Sequence, residues 1–171
     1  GFRDEMLAYL PNESNSLLFS MALSYLGDCQ RIFPSDSRPL EQVLWKIVTT
    51  NPVSQHRLQA FRLYRSIADS EEAVQRLYTL WQERKAPKDC ALSESDYIGL
   101  SYILAIHLPE KADKIIATQL SRIQNPDRKK EYQFISPSVS PRKAERDSVF
   151  ASLLIAGNRR VEPWASSALA N

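Results

Sequence analysis

The sequence predicts an all-α protein, a stack of antiparallel helical hairpins forming a curved superhelix of the HEAT or armadillo kind, and three observations carry that expectation. Glycine is scarce, with four in 171 residues. Few stretches alternate apolar and polar residues as a half-buried strand does. Apolar residues recur instead at the helical spacing of 0, 3, 4, 7 and 8.

Taken in order, that spacing and its punctuation predict helices near 3–10, 13–29, 39–50, 54–68, 71–85, 94–108, 110–124, 126–135, 141–155 and 163–170. The second carries the stripe Leu18, Met21, Ala22, Tyr25, Leu26, and the third Leu40, Val43, Leu44, Ile47, Val48. The fourth carries Ala60, Phe61, Tyr64, Ile67 and Ala68, and the fifth Val74, Leu77, Tyr78 and Trp81. Each is one apolar face of an amphipathic helix. Acids at Glu71 and Glu72 follow Ser70, and Asn125-Pro126 and Ser140-Pro141 set a cap residue before a proline at the first helical position. Pro11, Pro52, Pro109 and Pro137 fall where stripes stop. Short turns leave consecutive helices no choice but to pack as antiparallel neighbours. The spacing between stripes is irregular, so the array is degenerate, and residues 1–171 are read as a single α-helical domain.

Composition is that of an ordinary globular chain, 43% hydrophobic and 25% charged, without an apolar run long enough to span a bilayer. The segment 1–10 lacks the basic start and long apolar stretch of a secretory signal. Cys29 and Cys90 lie far apart with no C-x-x-C spacing, which reads as two small buried hydrophobes. Between Pro126 and Arg160 eight basic residues face four acidic ones, a local +4 within a chain of net charge +2, so the basic character belongs to one end.

Chemistry is hard to place on this chain. A catalytic zinc needs about three protein ligands, often two histidines one helical turn apart, and the only histidines are His56 and His107, in different helices. His107 continues the stripe of Leu100, Ile103 and Leu104, which predicts a hydrogen-bonded core histidine. No nucleophile elbow and no phosphate-cradling glycine loop occurs. Arg128-Lys129-Lys130 beside Tyr132 and Phe134 has the residue types of a nucleic-acid contact, but a pI near 8.6 with acids interspersed favours a solvated face or an interdomain contact. Arg146 and Asp147 approach the stripe of Val149, Phe150, Leu153 and Leu154, and are expected to be partly buried in ion pairs. The alternative for Arg146, with Arg159 and Arg160, is that a guanidinium fork receives a peptide carboxylate or a neighbouring domain.

From Leu92 onward, Asn125-Pro126-Asp127-Arg128, Ser136-Pro137 with Ser140-Pro141, Arg146-Asp147, and Asn158-Arg159 ahead of Glu162-Pro163-Trp164 stand out. These words, covering about half of the chain, resemble the C-terminal helical domain of bacterial zinc aminopeptidases of the aminopeptidase N type. The resemblance implies a larger parent with a β-rich N-terminal domain and a thermolysin-like catalytic domain. There an H-E-x-x-H helix with a downstream glutamate holds zinc, and a Gly-x-Met-Glu-Asn loop grips the peptide amino terminus. Neither motif occurs in this chain, whose methionines are Met6 and Met21, so no catalytic, metal or cofactor residue carries over.

What the resemblance does imply is an accessory role. The helical domain packs on the catalytic domain of its own parent chain, encloses the chamber above the zinc and limits entry of peptide substrates. No nucleic-acid or membrane partner is expected, and the bacterial cytoplasm and the periplasm both stay open. Gly1 in place of a methionine, and a final helix that stops at Asn171, are expected to be boundaries within a longer protein. Gly157 in the left-handed conformation, Asn158, Asp147, Glu162 and a buried Trp164 are expected to fix the joint between the last two helices. A free-standing helical-repeat adaptor, binding a partner in its concave groove, is the alternative.

Overall fold

The computed structural model describes residues 1–170 and, among them, ten α-helices and no strand. They are α1 Phe2–Tyr9, α2 Ser16–Ile32, α3 Arg38–Thr50, α4 Ser54–Ile67, α5 Glu71–Glu83, α6 Glu94–His107, α7 Ala112–Arg122, α8 Pro126–Ile135, α9 Lys143–Leu153 and α10 Glu162–Ala170. The chain divides into two compact units, Gly1–Ser93 and Glu94–Asn171.

In the first unit α4 packs against both α2 and α3. Phe19, Leu26, Leu44, Ile47, Phe61 and Tyr64 fill its centre, each at most 1% exposed. Polar devices fix the helix ends. The Asn15 side chain accepts from the Leu17 and Leu18 amides at 3.0 and 3.2 Å, capping α2. Arg57 spans a turn and a loop, donating to the Asn51 carbonyl, to the Lys88 carbonyl at 2.9 Å and to Asp89 at 3.1 Å. Glu41 does more. Although only 4% exposed, its carboxylate accepts from Ser37 Oγ at 2.8 Å, from the Asp69 and Ser70 amides at 2.9 and 3.1 Å, and from Ser70 Oγ. It thereby ties α3 to the start of α5, and its negative charge sits at the positive end of that helix.

The histidines reverse the expectation. His107 is exposed, whereas His56 is fully buried, its ring stacked on Phe19 at 4.0 Å between centroids and its Nε2 3.0 Å from Ser16 Oγ. Both of His56's neighbours come from α2, about forty residues away in sequence, so local spacing carries no sign of them. The stripe predicted on α2 is split, with Ala22 and Leu26 inside and Leu18, Met21 and Tyr25 outside. Phe19, Ala22, Leu23 and Leu26 are buried, while Leu17 and Met21 are 69% and 60% exposed, with Leu18 and Tyr25 beside them. The apolar side of the helix is wider than the face that packs, and periodicity alone places that face about one residue away from the buried line of Phe19, Ala22, Leu23 and Leu26.

In the second unit α6 packs on α7 and α8 on α10, with the short 3-10 segment Ser136–Val139 touching α6, α8, α9 and α10. Tyr102 and Tyr132 stack at 5.1 Å in the middle of the core. The Tyr132 hydroxyl lies 2.9 Å from Ser101 Oγ, which itself donates to the Ile98 carbonyl at 2.7 Å, so tyrosine is the donor of the pair. Burial pushes both tyrosine hydroxyls far above their ordinary pKa, which keeps them neutral. Asn125 caps α8 through the Asp127 and Arg128 amides at 2.9 and 3.1 Å. Glu94 accepts from the Gln124 amide at 2.8 Å and from Arg128 at 3.1 Å, joining the start of α6 to the turn before α8.

Both cysteines are free thiols, Cys90 buried and Cys29 half-buried. No helix of the structure is long and apolar enough to cross a membrane, and no group of three or more metal-ligating side chains occurs among the described residues.

Candidate functional site

The residues singled out by the sequence gather around α9 and α10. Upstream of α9 the chain leaves the segment Ser136–Val139, and the Ser140 hydroxyl accepts from the Arg142 amide at 3.1 Å. This serine acts as a turn cap, and α9 starts two residues later than the proline predicts, at Lys143. Arg142 then forms a bidentate pair with Asp113 of α7, at 2.8 and 2.9 Å, and a second with Glu145, at 2.6 and 3.1 Å. The hydrogen bonds from Arg142 hold both carboxyls below their usual range, and Asp113 first and then Glu145 raise the guanidinium in return. Arg142 is not among the residues that the sequence singles out as a site. Its signal was its place just after Ser140-Pro141, where a turn aims the side chain back across the unit.

Arg146 and Asp147 are corrected in two respects. Both are exposed, and among the described residues neither makes an ion pair to a neighbouring helix. Asp147 is met by Lys143 Nζ at 2.6 Å, one helical turn away. Arg146 donates through Nη1 to the Ser140 carbonyl at 2.6 Å, and its remaining nitrogens have no partner among the described residues. Both line a groove of about 310 Å³ whose walls are Val149, Phe150 and Leu153 of α9 and Ala168 and Leu169 of α10. Of the predicted apolar stripe on α9 only Leu153 is buried, whereas Phe150 is 60% exposed.

Ser138 closes this groove. It is 8% exposed, and its buried hydroxyl has no hydrogen-bond partner among the described residues. Leaving such a group unpaired costs about 1–3 kcal/mol, so the position is one where the fold gives up stability.

The corner after α9 is a 3-10 turn over Ala156–Arg159. Gly157 lies within it without a positive φ, so the left-handed helix stop expected there does not form. A Cβ added at Gly157 meets nothing within 4 Å. Gly157→Ala is therefore expected to leave stability unchanged or raise it by about 0.4–1 kcal/mol by restricting the unfolded chain, measurable by chemical denaturation. Asn158 holds the corner instead, donating through Nδ2 to the Ser152 carbonyl at 2.9 Å. Arg159, Arg160 and Glu162 are exposed, and neither arginine makes an ion pair among the described residues.

Trp164 is half-buried, its ring 5.9 Å from that of Phe134. The full burial expected of it is not realised. Trp164→Ala should then cost about 1–3 kcal/mol, short of the loss at a sealed aromatic site, and a denaturation midpoint shift gives the value.

Comparisons with protein-family models, with curated proteins and with solved structures give no match for this chain.

Proposed function

We propose that this chain is the non-catalytic C-terminal helical domain of a zinc-dependent aminopeptidase, which packs on the catalytic domain of the same polypeptide and encloses its active-site chamber. The helix pairs α3–α4 and α6–α7, each joined by a short connection, are on this reading hairpins of the HEAT and armadillo type. The resemblance of residues 92–164 supplies the family, and one structural observation supports a packing role. On α2, Leu17, Leu18 and Met21 form an exposed apolar row, continued by Tyr25, whose ring meets that of Phe2 edge-on at 5.2 Å. Rows of that kind on a folded surface mark sites that another protein surface covers.

The reading is tested by zinc content and aminoacyl reporter hydrolysis, measured on the 171-residue chain and on the same polypeptide extended N-terminally in its gene. The short chain is expected to show neither, and the extended chain both. Zinc-dependent cleavage by the short chain overturns the reading, and so does an upstream gene sequence with no H-E-x-x-H. The second outcome would leave the helical adaptor in its place.

A further inference from the structure

The groove between α9 and α10 combines apolar walls with a guanidinium that meets no anion, and a buried hydroxyl that meets no partner, among the described residues. We infer that it binds a carboxylate attached to an apolar body, with Arg146 receiving the carboxylate and Phe150, Leu153 and Leu169 receiving the apolar part. Arg146 is pre-set for this. Its Nη1 is held by the Ser140 carbonyl, which fixes the plane of the fork and leaves Nε and Nη2 to meet the two oxygens of a carboxylate. Arg76 shows the contrast, since its guanidinium is already committed to the Tyr64 hydroxyl at 3.0 Å, to Glu72 at 2.6 Å and to the face of Trp45 at 4.6 Å.

Asp147 also lines the groove, and its charge would repel an anion were it free. Lys143 neutralises it at 2.6 Å, so the balance at the mouth is positive. Ser138 supplies a hydroxyl that a bound oxygen can satisfy after a change of rotamer. At about 310 Å³ the groove has room for one large side chain and its carboxylate, not for an extended peptide. The groove lies wholly within the second unit, so its binding does not depend on a zinc domain.

Two sources offer this chemistry, the last residue of a peptide and a free medium-chain fatty acid. Calorimetric titration of the whole chain separates them. N-acetyl-Ala-Ala-Phe with a free carboxylate is expected to bind, and its C-terminal amide about tenfold more weakly or not at all. Replacing the final Phe by Gly, or the protein's Arg146 by Gln, should each cost about tenfold as well. Arg159→Gln should leave binding within about twofold. Octanoate binding as tightly as the peptide acid assigns the groove to free acids, and weaker binding assigns it to peptide ends. Equal binding of acid and amide by the unmodified chain overturns the inference without reliance on any variant, as does an Arg146→Gln chain that binds like the original. No binding at millimolar concentration overturns it too.

Discussion

Glu41→Gln is expected to lower the stability of the chain by about 2–4 kcal/mol at neutral pH, measured by urea denaturation. The reason is the number of donors that converge on this carboxylate, two hydroxyls and two amides, at a site 4% exposed. Glutamine keeps one acceptor oxygen and brings an NH₂ group against hydrogens already pointing inward. The pH dependence separates this from a packing defect. Burial alone would raise the Glu41 pKa, but the Ser70 hydroxyl, the Asp69 and Ser70 amides and the Ser37 hydroxyl outweigh it, and the folded value lies below the ordinary 4.5. A carboxyl depressed on folding contributes stability that is complete above its unfolded pKa and is lost as pH falls through the folded one. The gap between the native chain and Glu41→Gln should therefore be constant near neutrality and close progressively below about pH 4.5. A gap that stays constant into acid would assign the loss to shape and not to charge.

The second large effect is expected at Tyr132. Tyr132→Ala empties the middle of the second core, where the ring is 1% exposed and stacked on Tyr102, and should cost about 3–5 kcal/mol. Tyr132→Phe keeps the ring and removes only a donor. Ser101 Oγ retains its bond to the Ile98 carbonyl, so no buried hydrogen is stranded and the loss should be near 1 kcal/mol. Thermal or urea unfolding of both variants gives the ratio. A phenylalanine variant as unstable as the alanine one would mean that the hydroxyl, and not the ring, organises this core.

How much could be read in advance depended on how local each cause was. All ten helices lie close to where periodicity and punctuation put them, because caps such as Ser70 and Asn125 act within three residues of themselves. Faces were less legible. On α2 two apolar faces overlap, and only the approach of α4 decides that Phe19 goes in and Met21 stays out. On α9 an apolar stripe exists but little packs on it, leaving Phe150 bare.

At the candidate site, Arg146 was visible as an arginine beside an apolar stripe. Ser138, Leu169 and the Lys143 pairing that frees the groove of negative charge were not. They depend on how the segment Ser136–Val139 and α10 meet α9, a matter of tertiary packing. Gly157 misled in the opposite direction, since a glycine after a helix fits the left-handed stop, yet here the chain tightens into a 3-10 turn that any residue can adopt.

The bare row on α2 bears on how this chain fares inside a cell. Quality-control machinery recognises apolar side chains exposed in series, and Leu17, Leu18 and Met21 remain so even when the first unit is fully folded. A folded copy whose row stays bare therefore still offers chaperones and proteases the kind of surface that unfolded chains offer.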